Sequence, residues 1–377
     1  MGPSTVTLVR IANVVRDYAW GSTSLVAGYL GTEPSGGPEA ELWLGAHPAS
    51  PARLDDGTPL DAALEAAGAE QPGILLKVLA AAHALSLQVH PSTAQAQAGF
   101  AAEETAGVPR DAAHRSFKDA RSKPELIVAV TPFEALSGFQ PTTRTLAVLD
   151  ALAAIDARVA PYADRVRAST RETLAWLLAG GEDVDAVVAG VVAAAPSLPA
   201  AHAAAADTVA RLHADYPGDA GIATSLMLHR VSLAPGESVF LPAGNLHAYL
   251  SGLGIELMEA SDNVLRGGLT PKHVDRDALL DVVDVTPVDD PRLPPTALPG
   301  AVAYRPDAPF ELRHVSGDHD AGAAACAIVL AASPTIVEVA GERLVLERGE
   351  AAFAATPGML RVEASDAWVA IERFDTP

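Results

Sequence analysis

The stretch Gly236-Glu237-Ser238-Val239-Phe240-Leu241-Pro242-Ala243-Gly244-Asn245-Leu246-His247 decides how this chain is read. An apolar run, Val239-Phe240-Leu241, enters a Pro-x-Gly turn, and His247 follows it. Proline and glycine shape a tight turn, so the histidine re-enters on a strand aimed at the mouth of a small barrel. The same cadence returns as Gly349-Glu350-Ala351-Ala352-Phe353 and Pro357-Gly358, with Leu360 near the place of the histidine. Two barrels, one bearing a polar centre and one without, would give this echo; so would two unrelated Gly-Glu hairpins.

Working outward, residues 1–141 hold short apolar runs broken by Ser35-Gly36-Gly37-Pro38 and Asp55-Asp56-Gly57, the punctuation of strands and turns. Ile74-Leu75-Leu76-Lys77-Val78-Leu79 and Leu85-Ser86-Leu87-Gln88-Val89-His90 read as two strands joined through residues 80–84. From 142 to 216 the texture turns helical: Thr142 is a candidate N-cap, and Leu146, Leu149, Leu152 and Ile155 form an apolar stripe. Further helices are expected at 171–178 and 184–194, with Trp176 in the core. Strands resume from 217, and a proline-rich connector follows residue 282. The expected organisation is a mainly β chain with a helical insertion: a barrel from 1–141 and 217–285, the insertion at 142–216, and a second barrel without metal at 286–377.

Composition narrows the function. With 26 Lys plus Arg against 47 Asp plus Glu, the 377 residues carry a formal charge of −21. That balance argues against a nucleic-acid partner and against an anionic membrane surface. A hydrophobic fraction of 49% supports a sizeable core. The lone Cys326 excludes an internal disulfide and fits a reducing cytoplasm. The N-terminal 16 residues lack the continuous apolar segment of an export signal. Residues 186–206 carry no charge, but are mostly alanine with Pro196, Pro199 and His202, and read as a helix pair rather than a membrane span.

Four groups could carry chemistry. In Gln88-Val89-His90-Pro91, residues two apart on a strand share a face, so Gln88 and His90 converge. Lys123-Pro124-Glu125 sets a carboxylate at the start of an apolar strand. The spacing Gly236-x5-Pro242-x-Gly244-x-x-His247 resembles the second metal motif of the cupin barrels. Together Gln88, His90, Glu125 and His247 offer two nitrogens and two oxygens, a borderline set suited to Zn²⁺ with an open position. The fourth group is the run Gly254 to His273, in which Arg266 precedes two glycines and Lys272 follows Thr-Pro; two cations in an acidic chain suggest an anionic substrate. Salt bridges to Glu256, Glu259 and Asp262 are the plainer reading of the same charges.

Taken in order, Tyr18-Ala19-Trp20-Gly21-Ser22, Glu41-Leu42-Trp43-Leu44-Gly45-Ala46-His47-Pro48, Leu85 to Pro91, Lys123-Pro124-Glu125 and the block through Lys272 make the chain resemble the type I phosphomannose isomerases over nearly its whole length. The resemblance implies cupin-like jelly-roll barrels and one zinc ion per chain, held by Gln88, His90, Glu125 and His247. It implies a catalytic Arg266, phosphate contacts from Ser86 and Lys272, a substrate contact from Trp20, and Glu256 and Lys123 in the same pocket. The implied protein is a cytoplasmic monomer acting on a phosphosugar, without nucleic-acid or membrane partners. The implied reaction interconverts mannose 6-phosphate and fructose 6-phosphate through a cis-enediol, a step feeding GDP-mannose synthesis. Two positions depart from the family: Ala19 stands where an aspartate is usual, and Ser122 where bacterial members often carry histidine. The proton carrier is therefore open between Glu256 and Lys123. A metal-dependent oxygenase would want more histidines around iron, and a non-catalytic sensor would be expected to lose ligands.

Overall fold

The structure is a computed structural model and describes residues 7–355 and 358–374. Pro357 of the echo and the first six residues of the N-terminal stretch lie outside the described residues.

The organising element is the long strand His247–Glu259, which begins where the Pro-x-Gly turn releases the chain. Its start pairs with Leu87–Val89, placing Gln88 opposite His247, and with Phe133–Phe139. Its later half lies between Ile74–Ala81 and Glu125–Ala129. One strand thus serves two groups of neighbours, and Gly252 (φ 117°) marks the bend between them, where a Cβ would lie 2.6 Å from the Pro132 carbonyl. Ile74–Ala81 and Leu87–Val89 are strands as expected, but they do not form a hairpin. Each pairs with a different part of the long strand, because the connection between them turns a corner of the sheet.

The helical segment runs through Thr142–Ile155, Ala160–Ala168, Thr170–Ala179, Glu182–Ala194 and Ala203–Asp215. Pro141, not Thr142, holds the first N-cap position. Of the predicted stripe, Leu149 and Leu152 are buried and Ile155 is exposed at the helix end. These helices share one apolar core with Leu87, Val89 and Leu265, so they buttress the strands that carry Gln88 and Arg266 from behind. No helix among the described residues is long and apolar enough to cross a membrane; residues 186–206 fall in two helices separated by 3₁₀ turns.

The C-terminal part forms a seven-stranded and a four-stranded sheet. The seven-stranded sheet takes its edge strand from the other end of the chain: Leu8–Ile11 pairs with Ala351–Ala355. Its one face meets the first sheet in a core containing Leu76, Leu126, Ile255, Ile328 and Phe353. Its other face encloses a separate core with the four-stranded sheet, around Val329, Val337 and Val362. The chain is mainly β, with the helices inserted between strands of the first sheet.

Candidate metal centre and substrate cavity

His90 follows the strand Leu87–Val89, Glu125 opens the strand Glu125–Ala129, and His247 opens the long strand. All three side chains are buried, and their ligand atoms lie within 4.8 Å of one another. His90 Nδ1 is 2.7 Å from the Asn263 carbonyl and His247 Nδ1 is 2.9 Å from the Asn245 carbonyl. A carbonyl only accepts, so both Nδ1 atoms carry the proton and both Nε2 atoms present bare lone pairs. Burial, opposed by Glu125 and aided by Lys123, pulls the His90 imidazole down to about 4, so it stays neutral at ordinary pH.

Each bare Nε2 faces one oxygen of Glu125, at 3.3 Å in both cases. Burial alone would raise the Glu125 carboxyl, yet the adjacent Lys123 ammonium holds it well below the usual carboxylate range, so it is ionised. Acceptor therefore faces acceptor, and His90 Nε2, Glu125 Oε2 and His247 Nε2 have no hydrogen-bond partner among the described residues. Three converging electron pairs without a donor would cost several kcal/mol in a dry interior. A divalent cation among them removes that cost. Ligand bonds of about 2.1 Å at tetrahedral angles put neighbouring donors roughly 3.4 Å apart, close to the two separations observed. The donor set fits zinc, and both histidines already have the backbone partner that orients a metal-bound imidazole.

In front of this trio lies a cavity of about 560 Å³. Gln88 and Glu125 line it, as do Trp20, Ser86, Lys123, Glu256, Arg266 and Lys272, whereas His90 and His247 are not among its lining residues. Arg266 faces Gln88 across the ladder, and the register slips between Arg266 and Gly268. Gly268 (φ 127°) and Leu269 (φ 54°) then bend the chain, and the segment from Leu269 to Lys272 lines the cavity. Lys123 Nζ lies 2.9 Å from Glu125 Oε1. Burial lowers the Lys272 ammonium, and Arg266 and Lys118 lower it further by repulsion. Lys272 with Arg266 and Lys118 puts three cations on one cavity, an arrangement suited to an anion. Ser122 donates to Glu259 and is not among the residues lining the cavity.

The sequence reading missed three residues here. Lys77, buried among apolar neighbours, lies 3.1 Å from Glu256 and 3.5 Å from Glu41. Burial would lower its ammonium, but Glu256 and Glu41 more than offset this and raise it. Tyr249 donates to Glu256 at 2.8 Å. Burial raises the Glu256 carboxyl above the usual range although Lys77 opposes the rise. Lys118 shares the rim with Lys272. A lone lysine inside an apolar strand was the available signal for Lys77; Lys118 and Tyr249 carried none.

A sequence profile described as the catalytic domain of type I phosphomannose isomerase matches residues 8–142. Mannose-6-phosphate isomerase of Salmonella typhimurium is 35% identical over 376 residues, covering 91% of this chain and 94% of its own. The Escherichia coli K12 protein of that name is 38% identical over 288 residues, covering 71% and 72%. A crystal structure of the Salmonella enzyme, described as bound to substrate and a zinc atom, matches with a TM-score of 0.86 at 31% identity, covering 98% of this chain and 100% of that one. With identity sustained along both chains and the fold shared from end to end, this chain belongs to the type I phosphomannose isomerase family.

Proposed function

We propose that this protein is a zinc-dependent mannose-6-phosphate isomerase whose reaction runs in the cavity in front of His90, Glu125 and His247. The observation that carries the reading is the convergence of three unpartnered, buried lone pairs behind a rim of three cations. His90, Glu125 and His247, with Gln88, hold the ion; when bound, it supplies Lewis acidity toward the sugar oxygens. Lys272, Lys118 and Ser86 bind the phosphate, remote from the reacting carbons, and so keep the sugar in register. Trp20, stacked on Tyr18 with ring centroids 5.8 Å apart, walls one side. Arg266 stabilises the negative charge that develops on the enediolate oxygens.

The isomerisation removes a proton from one of C1 and C2 and returns it to the other. Glu256 is the better supported carrier of the two candidates. Its carboxyl is raised by burial, which strengthens it as a base, while Lys123 is held in an ion pair with Glu125. Lys77 and Tyr249 orient Glu256 from either oxygen. The single cysteine, Cys326, supports a cytoplasmic location. A coupled assay for fructose 6-phosphate formed from mannose 6-phosphate tests the function. Turnover with Glu256→Gln slowed by orders of magnitude supports the assignment of the base; turnover near the wild-type rate refutes it.

A further inference from the structure

The run from Glu41 to Pro48 holds a histidine, His47, that the reaction described above leaves without a part. In the sheet, Trp43 pairs with Lys77 and Lys77 with Glu256, so the three stand in one row across three strands. The His47 ring meets the Trp43 ring edge-on, with centroids 5.1 Å apart. Trp43 is itself held: its Nε1 donates to Glu41 at 2.9 Å, and Arg16 and Lys77 lie against the indole. His47 is only 4% exposed, yet it lines the substrate cavity. Asp262, just beyond the long strand, lines the same cavity and is half exposed.

The two side chains face each other without bonding. The Ala49 amide donates to His47 Nδ1 at 3.2 Å, so Nδ1 is bare and the proton of the neutral ring sits on Nε2. Burial pulls the imidazole below its ordinary value, Asp262 opposing the fall and Lys77 and Lys123 assisting it, so the neutral form prevails. Nε2 lies 3.6 Å from Asp262 Oδ1, beyond hydrogen-bond reach. Among the described residues, neither His47 Nε2 nor the Asp262 carboxylate has a hydrogen-bond partner. The Asp262 backbone is fixed, its amide donating to Asp119 at 2.9 Å. A nearly buried donor and an unused acceptor thus stand side by side on the cavity wall.

We infer that His47 and Asp262 clamp one hydroxyl of the sugar, on C3 or C4, the carbons between the reacting pair and the phosphate. The inference rests on the isomerase reading above. A hydroxyl both accepts and donates. Its oxygen can sit about 2.9 Å from His47 Nε2 and about 2.7 Å from an Asp262 oxygen, accepting from the first and donating to the second. Lys77 and Lys123, at the metal end, lie near enough to act on the His47 charge. Asn263, next to Asp262, accepts from the Lys118 amide on the phosphate side. The pair therefore stands between the two ends of the substrate. A sugar lacking the clamped hydroxyl would leave the desolvated N–H unpaired, which is how a polar site rejects a deoxy analogue.

The test crosses substrates with variants: mannose 6-phosphate and its 3-deoxy and 4-deoxy analogues, each turned over by zinc-loaded wild type, His47→Phe and Asp262→Ala. With mannose 6-phosphate each variant should lose roughly tenfold in kcat/KM, the effect of leaving a polar contact unmade. With the analogue that lacks the clamped hydroxyl, wild type should already be slowed, and the variants should lose less than about threefold more, because coupled contacts are not lost twice. With the other analogue the full loss should persist. Equal losses on all three substrates mark a structural role and overturn the clamp, as does the absence of any loss. Asp262 is half exposed, so Asp262→Ala is informative even where His47→Phe fails to fold. Failure of the isomerase reading is a separate result: zinc-loaded wild type would then not turn over mannose 6-phosphate at all, and the clamp would fall with it.

Discussion

Replacing Lys272 by alanine separates phosphate recognition from chemistry. Lys272 shares the cavity rim with Arg266 and Lys118, and each lowers its ammonium by repulsion after burial has done so. Their crowding is relieved when a dianion binds. A charge-assisted contact is worth about 1.5–3 kcal/mol, and Lys272 is exposed to solvent that screens it. The lower part of that range applies, roughly 1.5–2 kcal/mol, or about 10- to 30-fold in kcat/KM. Because the phosphate does not react, most of the loss should appear in KM, with the competitive inhibition constant of inorganic phosphate weakened by a similar factor. Raising the salt concentration should shrink the gap between the two proteins, since the Debye length falls to about 3 Å at 1 M. The coupled assay reads all three quantities. An unchanged KM together with unchanged phosphate inhibition would refute the placement of the phosphate at this rim.

Gly268→Ala would put a Cβ 2.9 Å from Asp219 Oδ1, in a backbone conformation that L residues rarely adopt; about 1–3 kcal/mol of stability and at least tenfold of kcat should be lost, read by urea unfolding and the coupled assay. Asn263→Ala removes a buried amide that accepts from the Lys118 and Asp119 amides and donates to the Asp119 and Arg121 carbonyls. The residue's own carbonyl orients His90, so zinc affinity should drop about 10- to 100-fold, and a competition titration with a chelator measures it. Burial pushes the Tyr304 phenol from 10.0 up to about 12. The folded state then holds its proton where the unfolded chain loses it. Stability from this group is complete below pH 10 and is lost as pH rises toward 12. Tyr304→Phe, which also loses the bond to the Gly236 carbonyl, should be about 1 kcal/mol less stable at neutral pH and show a flatter alkaline decline.

Much of the metal centre was legible because its signals are local. A Pro-x-Gly turn before His247, a Gln-x-His pair and a carboxylate at a strand start each follow from spacing over a few residues. That they converge is a matter of ladder register, which no short window contains: Gln88 meets His247, far along the chain, only because one long strand serves two groups of partners. The same long-range pairing keeps Ile74–Ala81 and Leu87–Val89, consecutive in the chain, from pairing with each other. Lys77 was read as an ordinary strand residue, since alternation predicts a polar side chain facing water. The strand is buried on both faces, so its ammonium instead lies between two carboxylates. The pairing of Leu8–Ile11 with Ala351–Ala355 had no local sign at all.

The central claim is that His90, Glu125 and His247 surround one essential divalent ion, and metal reconstitution measures it most directly. Protein stripped by a chelator should be inactive, recover full turnover on adding one zinc ion per chain, and fail to recover when Glu125→Ala replaces the native carboxylate. Full turnover by protein freed of metal, or zinc uptake by Glu125→Ala equal to that of the wild type, would contradict it.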